Sequence, residues 1–522
     1  DRFGVKPLYY YFNGKDFIFA SELKAIYQFP DFKKEIDFNA LAFYLQLGFI
    51  PGPYTIFKNA YKLEQGSILE ISLPRSSVNR TQSLKREQLK LKISKYWQPA
   101  QYFIRLDEEF PIWKQAERRR ESNEEEILKE LEELLKESFR YRMVADVDVG
   151  IFLSGGIDSS LMTTILQKNF SQKLKTFTIG FKEKVYDEAP YAKKVAEILG
   201  TDHYEYYLSL KDLENVFENY AEIFDEPFGD SSGLPTYLLA KFAREKVKVA
   251  LSGDGGDELF WGYSKYQAIN KFFNQPEIFK KINSKILIFL GPKRISQLYL
   301  IFSKIFPLPK YSNLREKIAK LINLLEGKTL SEMFQLAGSY WLKDEIYKML
   351  IYQNFEQDLS EFYPSYKLDS REQLQIWDIK NYLCDDILVK TDRATMAVGL
   401  EAREPYLDQN ILELVAKIPK EIKFKEPKYL LKKLLYKYLP KKLFQRPKTG
   451  FQPPIYEMLQ ANFPRYVEEY LNPNKIQRQG IFNVEYIKNL INQYQKGKYL
   501  NPDKIWLLVA FQMWHKRWCE KL

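Results

Sequence analysis

The hydrophobic pattern changes period at the centre of the N-terminal third. Val147, Val149, Ile151 and Leu153 alternate with Asp146, Asp148 and Gly150, a two-residue period that predicts a half-buried strand. Just upstream, Ile127, Leu128, Leu131, Leu134, Leu135 and Phe139 fall on one stripe with Glu and Lys opposite, predicting a helix from Ser122. Downstream the two periods take turns. Leu161, Ile165 and Leu166 predict a helix over Asp158–Gln167, followed by a strand at Leu174–Phe181 and a helix at Tyr191–Leu199 stopped by Gly200. A strand at His203–Leu208, helices at Lys211–Phe224 and Leu234–Lys246, and a strand at Val247–Leu251 complete the series. Such alternation predicts an α/β fold with a doubly wound parallel sheet and ligands at the carboxyl ends of its strands. Helix-period segments dominate residues 260–522, which read as a helical C-terminal extension.

The flanking regions read differently. Leu8–Phe12 and Phe17–Ala20 surround Asn13-Gly14, a hairpin signal, and Ser21 can cap a short helix through Ile26. A helix over Phe38–Leu47 ends at Gly48, and Gly66 turns between apolar stretches from Leu63 to Ile71. Residues 1–72 therefore read as the end of a β-rich domain. Residues 73–122 are polar, rich in Lys and Arg and without sustained periodicity, and are expected to be a linker before a domain at 123–522.

Composition narrows the class. Apolar residues make up 45% and charged residues 28% of the 522, an ordinary globular balance in a chain too long for one core. The net charge of +11 is spread over scattered residues, so it reads as solvated surface and no nucleic-acid partner is expected. Two cysteines, Cys384 and Cys519, make no disulfide framework and suit a reducing, cytoplasmic setting. Ile286–Leu290 is far too short to span a bilayer, so no membrane partner is expected either.

The chemistry concentrates in two loops. The first, LSGGIDSS over Leu153–Ser160, joins the strand ending at Leu153 to a helix. Gly155 and Gly156 let backbone N–H groups approach an anion, the helix adds its positive end, and Ser154, Ser159 and Ser160 can donate hydroxyls. Asp158 can hold Mg²⁺ against phosphates. The GxxxxGK[ST] lysine of γ-phosphate-transferring loops is missing. The string instead resembles the pyrophosphate-binding loop of the N-type ATP pyrophosphatases, which implies ATP opened between its α- and β-phosphates. The second loop, SGDGGDELFWGY over Ser252–Tyr263, follows the last strand of the series and carries Asp254, Asp257 and Glu258. Carboxylates beside phosphates imply an intervening cation or a base.

With FTIGF (177–181), YDEAPYAKKVAEILGTDHYE (186–205), DEPFGDSSGLPTYLLA (225–240), KTDRATMAVGLEAREPYLD (390–408) and RPKTGFQPPI (446–455), the chain resembles the glutamine-hydrolysing asparagine synthetases, class II amidotransferases, over nearly its whole length. DRFGVKPLYY and FASELKAI resemble the last strands of that family's α+β, N-terminal-nucleophile-type glutaminase domain. The resemblance implies conversion of aspartate to asparagine through β-aspartyl-AMP, with ATP and Mg²⁺ required. Leu153, Ser154, Gly155, Gly156, Asp158, Ser159, Ile179, Ser252 and Gly253 would then bind ATP, Leu153 and Ile179 flanking the adenine. Asp158 and Asp257 would bind Mg²⁺, while Asp254 and Lys448 would serve formation of the adenylate. Glu401 and Arg403 are candidates for the aspartate pocket, with a structural ion pair as the competing reading. The resemblance also admits a homodimer. The family's glutaminase nucleophile is an N-terminal cysteine, and residue 1 here is Asp. The expectation is a fragment lacking that nucleophile, its ammonia coming from glutamine in a longer protein. A paralogue acting on another carboxylate, such as a β-lactam precursor or a sugar-linked acid, is the alternative.

Overall fold

The computed structural model describes residues 1–72, 89–104, 123–181, 187–276, 286–287, 289–291, 294–299, 314–356, 358–445, 455–496 and 501–520. Ten strands are named in chain order: β1 Tyr9–Phe12, β2 Phe17–Ala20, β3 Ala60–Lys62, β4 Ser67–Ser72, β5 Lys90–Lys95, β6 Val149–Phe152, β7 Lys175–Phe181, β8 Asp202–Leu208, β9 Val249–Leu251 and β10 Glu401–Arg403.

The central sheet has the order β10-β9-β6-β7-β8, and each neighbouring pair is parallel. The chain leaves β6 towards β7 on one side, and the connection after β8 returns it to β9 on the other side of β6. Loops leaving β6 and β9 therefore diverge at their carboxyl ends, and a crevice opens there. Helices Ile157–Asn169 and Ala189–Leu199 share one buried cluster with Ile151, Leu251 and the helix Glu124–Arg142. Helices Leu210–Phe217 and Gly233–Arg244 share the other with Phe177, Ile179 and Ala250. The sheet is thus covered on both faces, as its near-continuous apolar strands require.

Most sequence-predicted elements are present, and their ends have local causes. Asn123 caps the helix Glu124–Arg142 by accepting from the Glu125 N–H, and three glutamates in the first turn face the positive helix end. Asp37 caps Phe38–Leu47, and Gly48 closes it in the left-handed region at φ 85°. Gly200 does the same for Ala189–Leu199.

The expected β1–β2 hairpin forms, with Phe12 paired to Phe17 and Asn13 Oδ1 accepting from the Lys15 and Asp16 N–H groups in the four-residue loop. Several other expectations need correcting. Ser21 does not cap the helix Leu23–Ile26; the cap residue is Glu22, and the Ser21 carbonyl accepts from Arg393. The helix expected over Lys211–Phe224 is broken at Asn219 into Leu210–Phe217 and Tyr220–Ile223. Within the expected linker, β5 pairs antiparallel with β4, and Trp97 and Phe103 are buried. β10, the sheet's edge, went unpredicted because Glu-Ala-Arg offers no alternation.

Residues 1–72 share one buried cluster with the C-terminal helix Pro502–Trp518. That helix presents Trp506, Trp514 and Trp518, whose indole N–H groups donate to the carbonyls of Gly229, Asp225 and Ala221. No helix among the described residues is long and apolar enough to cross a membrane.

Candidate active site

The two glycine loops pack against each other. Gly155 lies at φ 72°, and a Cβ there would stand 2.7 Å from the Ala192 nitrogen, so the first loop rests on the start of the next helix. A Cβ on Gly256 would lie 2.7 Å from Asp158 Cγ, which puts the second loop directly beside the first loop's acid. The first loop is also tied internally: the Ser154 N–H donates to Ser159 Oγ at 3.2 Å, and the Gly156 N–H to Ser154 Oγ at 3.3 Å. The Tyr406 hydroxyl donates to the Asp158 carbonyl at 2.9 Å and fixes the start of the helix. Leu153 and Ile179 are buried at the ends of β6 and β7.

Between the loops stands Lys428, a residue the sequence reading missed. Its ammonium pairs with Asp158 Oδ2 and, at 2.7 Å, with Asp257 Oδ1, and its side chain is 7% exposed. Burial opposes its charge, and the two carboxylates outweigh burial, so the ammonium is held above lysine's usual range. Lys428 lies at φ 55°, and its N–H donates to the Phe260 carbonyl at 2.9 Å. A non-glycine residue held in that region is fixed by its surroundings. In the sequence Lys428 is one of several lysines before and within the helix Tyr429–Tyr436. It looked like solvated surface, and only its place after Pro427 at a helix start set it apart.

Asp254 accepts from the Ser252 hydroxyl and from Thr391 Oγ1, each at 2.8 Å. The Ser252 N–H donates to the Arg403 carbonyl at 2.9 Å, which ties this loop to β10. Beside Asp254 stand Lys390 and its partner Asp230, 3.1 Å apart and both contributed by motifs quoted for the resemblance. Glu258 is buried, accepts from the Tyr263 hydroxyl at 2.6 Å, and is pushed up to about 7 by burial and then by Asp257.

The remaining predicted residues divide. Arg403 bonds Glu401 at 2.7 Å and donates to the carbonyls of Arg142 and Val144, so the pair fastens the end of the helix Glu124–Arg142. Lys448 lies outside the described residues. Cys384 is buried with its thiol on the Phe3 and Ile379 carbonyls, and His203 bonds Thr176, both packing roles.

Mg²⁺ suits this donor set, because Asp158 and Asp257 converge from two loops on one point that already holds a positive charge. Among the described residues no group of three or more His, Cys, Asp or Glu side chains could hold a metal unaided. An ion there would need oxygens from a ligand.

A parallel sheet with paired glycine loops and opposed carboxylates now meets the comparisons with known proteins. The asparagine synthase family profile matches residues 130–516. The chain belongs to that family. A glutamine amidotransferase domain profile matches residues 1–82. A provisionally named glutamine-hydrolysing asparagine synthetase 2 of Methanocaldococcus jannaschii is 37% identical over 406 residues, covering 76% of this chain and 68% of that protein. Asparagine synthetase (glutamine-hydrolysing) 1 of Bacillus subtilis is 29% identical over 530 residues, covering all of this chain and 75% of that protein. The protein named amidase chry2 of Gibberella zeae is 24% identical, over 87% of this chain and 67% of its own length. The asparagine synthase match spans both glycine loops, β10 and Lys428.

Proposed function

We propose that this member of the asparagine synthase family converts aspartate to asparagine with ATP, through β-aspartyl-AMP, using ammonia released from glutamine. In this reading residues 1–72 are the end of a glutamine amidotransferase domain, residues 73–122 join it to the rest, and residues 123–522 form the synthetase domain, an ATP pyrophosphatase fold. The observation that carries the proposal is the convergence of Asp158 and Asp257 on Lys428 at the crevice between β6 and β9.

A carboxylate is a poor acyl donor, and adenylation gives it a leaving group. Ser154, Gly155, Gly156 and Ser159 line the loop that would receive the phosphates, and Ser252 and Gly253 face them from the second loop. Lys428 would hold the charge that builds on the departing pyrophosphate, with Lys448 as the second cation. Bound Mg²⁺, held by Asp158 and Asp257, would supply further charge neutralisation. Asp254, fixed by two hydroxyls, would orient the acceptor. Glu401 and Arg403 would act on the acceptor only indirectly, through β10.

The test is aspartate-dependent exchange of labelled pyrophosphate into ATP. Exchange is expected with aspartate and MgATP; its absence with aspartate and presence with another carboxylate would select the paralogue reading. The match to a protein named an amidase keeps that second reading in view.

A further inference from the structure

Trp261, at the end of the second glycine loop, has the backbone of a glycine. Its φ is 59°, a left-handed state that a bulky side chain rarely adopts. The residue follows a four-residue helix, Gly256–Leu259, with Phe260 at its C-cap. The Gly262 N–H then reaches back to the Asp257 carbonyl at 2.8 Å. That bond closes a Schellman turn, and Trp261 stands where such turns usually carry glycine. The residue held by the returning bond is Asp257, one of the two acids that pair with Lys428.

The side chain accounts for the backbone. Trp261 is 3% exposed. Its indole stacks on the Tyr266 ring, with centroids 4.4 Å apart and planes at 18°, and meets the Phe424 ring edge-on at 4.9 Å. Tyr266 is itself pinned, its hydroxyl donating to Asp378 at 2.5 Å. Phe424 lies four residues before Lys428, and the Lys428 N–H donates to the Phe260 carbonyl. The indole therefore joins the segment that carries Lys428 to the loop that carries Asp257. Gly262 completes the joint. A Cβ there would overlap Asp257 Oδ1 and Lys428 Cε, so the turn forms the back wall of the ion pair. Aromatic pairs favour defined geometries, and here two of them hold a costly backbone in place.

Resting on the nucleotide part of the synthetase reading, we propose that Trp261 is a positioning residue acting through the Asp257–Lys428 pair. Its stacking holds that carboxylate and that ammonium where the phosphates of MgATP would meet them.

The experiment measures the MgATP dissociation constant by titration calorimetry on the folded 522-residue chain, with no acceptor present. Trp261→Gly keeps the left-handed turn and removes the stacking. It should weaken MgATP by about 10-fold, the worth of one misaligned charge-assisted hydrogen bond. Pyrophosphate exchange should slow by about 10²-fold, as expected for groups displaced by an ångström. Trp261→Leu, which keeps apolar bulk and lacks a ring, should show the same losses. Trp261→Phe, which restores a ring against Tyr266 and Phe424, should recover most of both. A lowered urea midpoint in Trp261→Gly with MgATP affinity and exchange unchanged makes the indole mere packing and overturns the proposal. A Trp261→Phe variant as weak as Trp261→Gly overturns it too. Because the titration contains no acceptor, it decides the role of Trp261 whichever carboxylate the exchange reaction selects. Exchange with another carboxylate and none with aspartate, beside the expected loss of MgATP affinity, fails the aspartate reading alone.

Discussion

Two lysines in this molecule are each buried between two carboxylates, and they are built for different purposes. Lys62 pairs with Glu226 at 2.8 Å and lies 3.8 Å from Asp385, and it also donates to the Ile50 carbonyl. It is the end residue of β3, beside Tyr9 and the buried Arg393–Asp225 pair, within the packing that joins residues 1–72 to the rest. Lys428 has the same charge pattern, but its carboxylates come from two glycine loops and its backbone is held in the left-handed region. The first cluster lies where residues 1–72 meet the rest, and Lys62 and Asp385 line a small cavity there. The second ties together two glycine loops at the carboxyl ends of neighbouring parallel strands. The lesson is that a buried ion trio reports a staple or a site only through what surrounds it.

The comparison breaks first at Lys62. Lys62→Met should leave Glu226 and Asp385 without their cation and cost about 3–5 kcal/mol, seen as a lower urea midpoint. A loss below 1 kcal/mol would mean that the cluster is not a staple. Lys428→Met should lower pyrophosphate exchange by about 10²–10³-fold, roughly 2.7–4 kcal/mol of transition-state charge stabilisation, with the urea midpoint less affected than in Lys62→Met. Equal stability losses in the two variants would erase the distinction. Gly155→Ala should cost about 1–2 kcal/mol for the backbone alone, and more for the contact with Ala192, and should weaken the thermal shift given by MgATP.

The smallest effect is a pH dependence. Burial raises Asp385 from its ordinary 3.8 to about 6, against the pull of Lys62. The folded state therefore keeps this proton where the unfolded chain has lost it. Its contribution is full below pH 3.8 and fades as the pH rises towards 6. Asp385→Asn should flatten that part of the profile in urea titrations between pH 4 and 6, and an unchanged slope would show that Asp385 does not carry it.

The loops were legible because their chemistry is local: Gly155, Gly156, Asp158 and Asp257 lie in strings whose residue types already say turn, anion and cation. The strands β6 to β9 were legible from period alone. Lys428 was not, since it stands among other lysines, Lys425 and Lys433 exposed, and its partners lie about 170 and 270 residues away. β10 escaped for the opposite reason. Three residues carry no period, and only pairing with β9 makes Glu401–Arg403 a strand. The same pairing gave Arg403 a fastening task that its motif did not announce. Lys448 stays a proposal resting on RPKTGF.

The three indoles of the helix Pro502–Trp518 have a consequence for the order in which the molecule can be made. They grip the carbonyls of Ala221, Asp225 and Gly229, the stretch that leads into Asp230 and its partner Lys390. The ribosome finishes that stretch nearly 300 residues before it reaches Trp518. At translation speeds of about 5–20 residues per second, the interval is on the order of tens of seconds. Throughout that time the DEPFGD segment has only its partners made earlier, the Tyr27 hydroxyl on the Asp225 carbonyl and the Gly48 carbonyl accepting from the Gly229 N–H, and lacks the three indoles. The nascent chain thus carries a half-built crevice, and its last turn of helix acts as the latch.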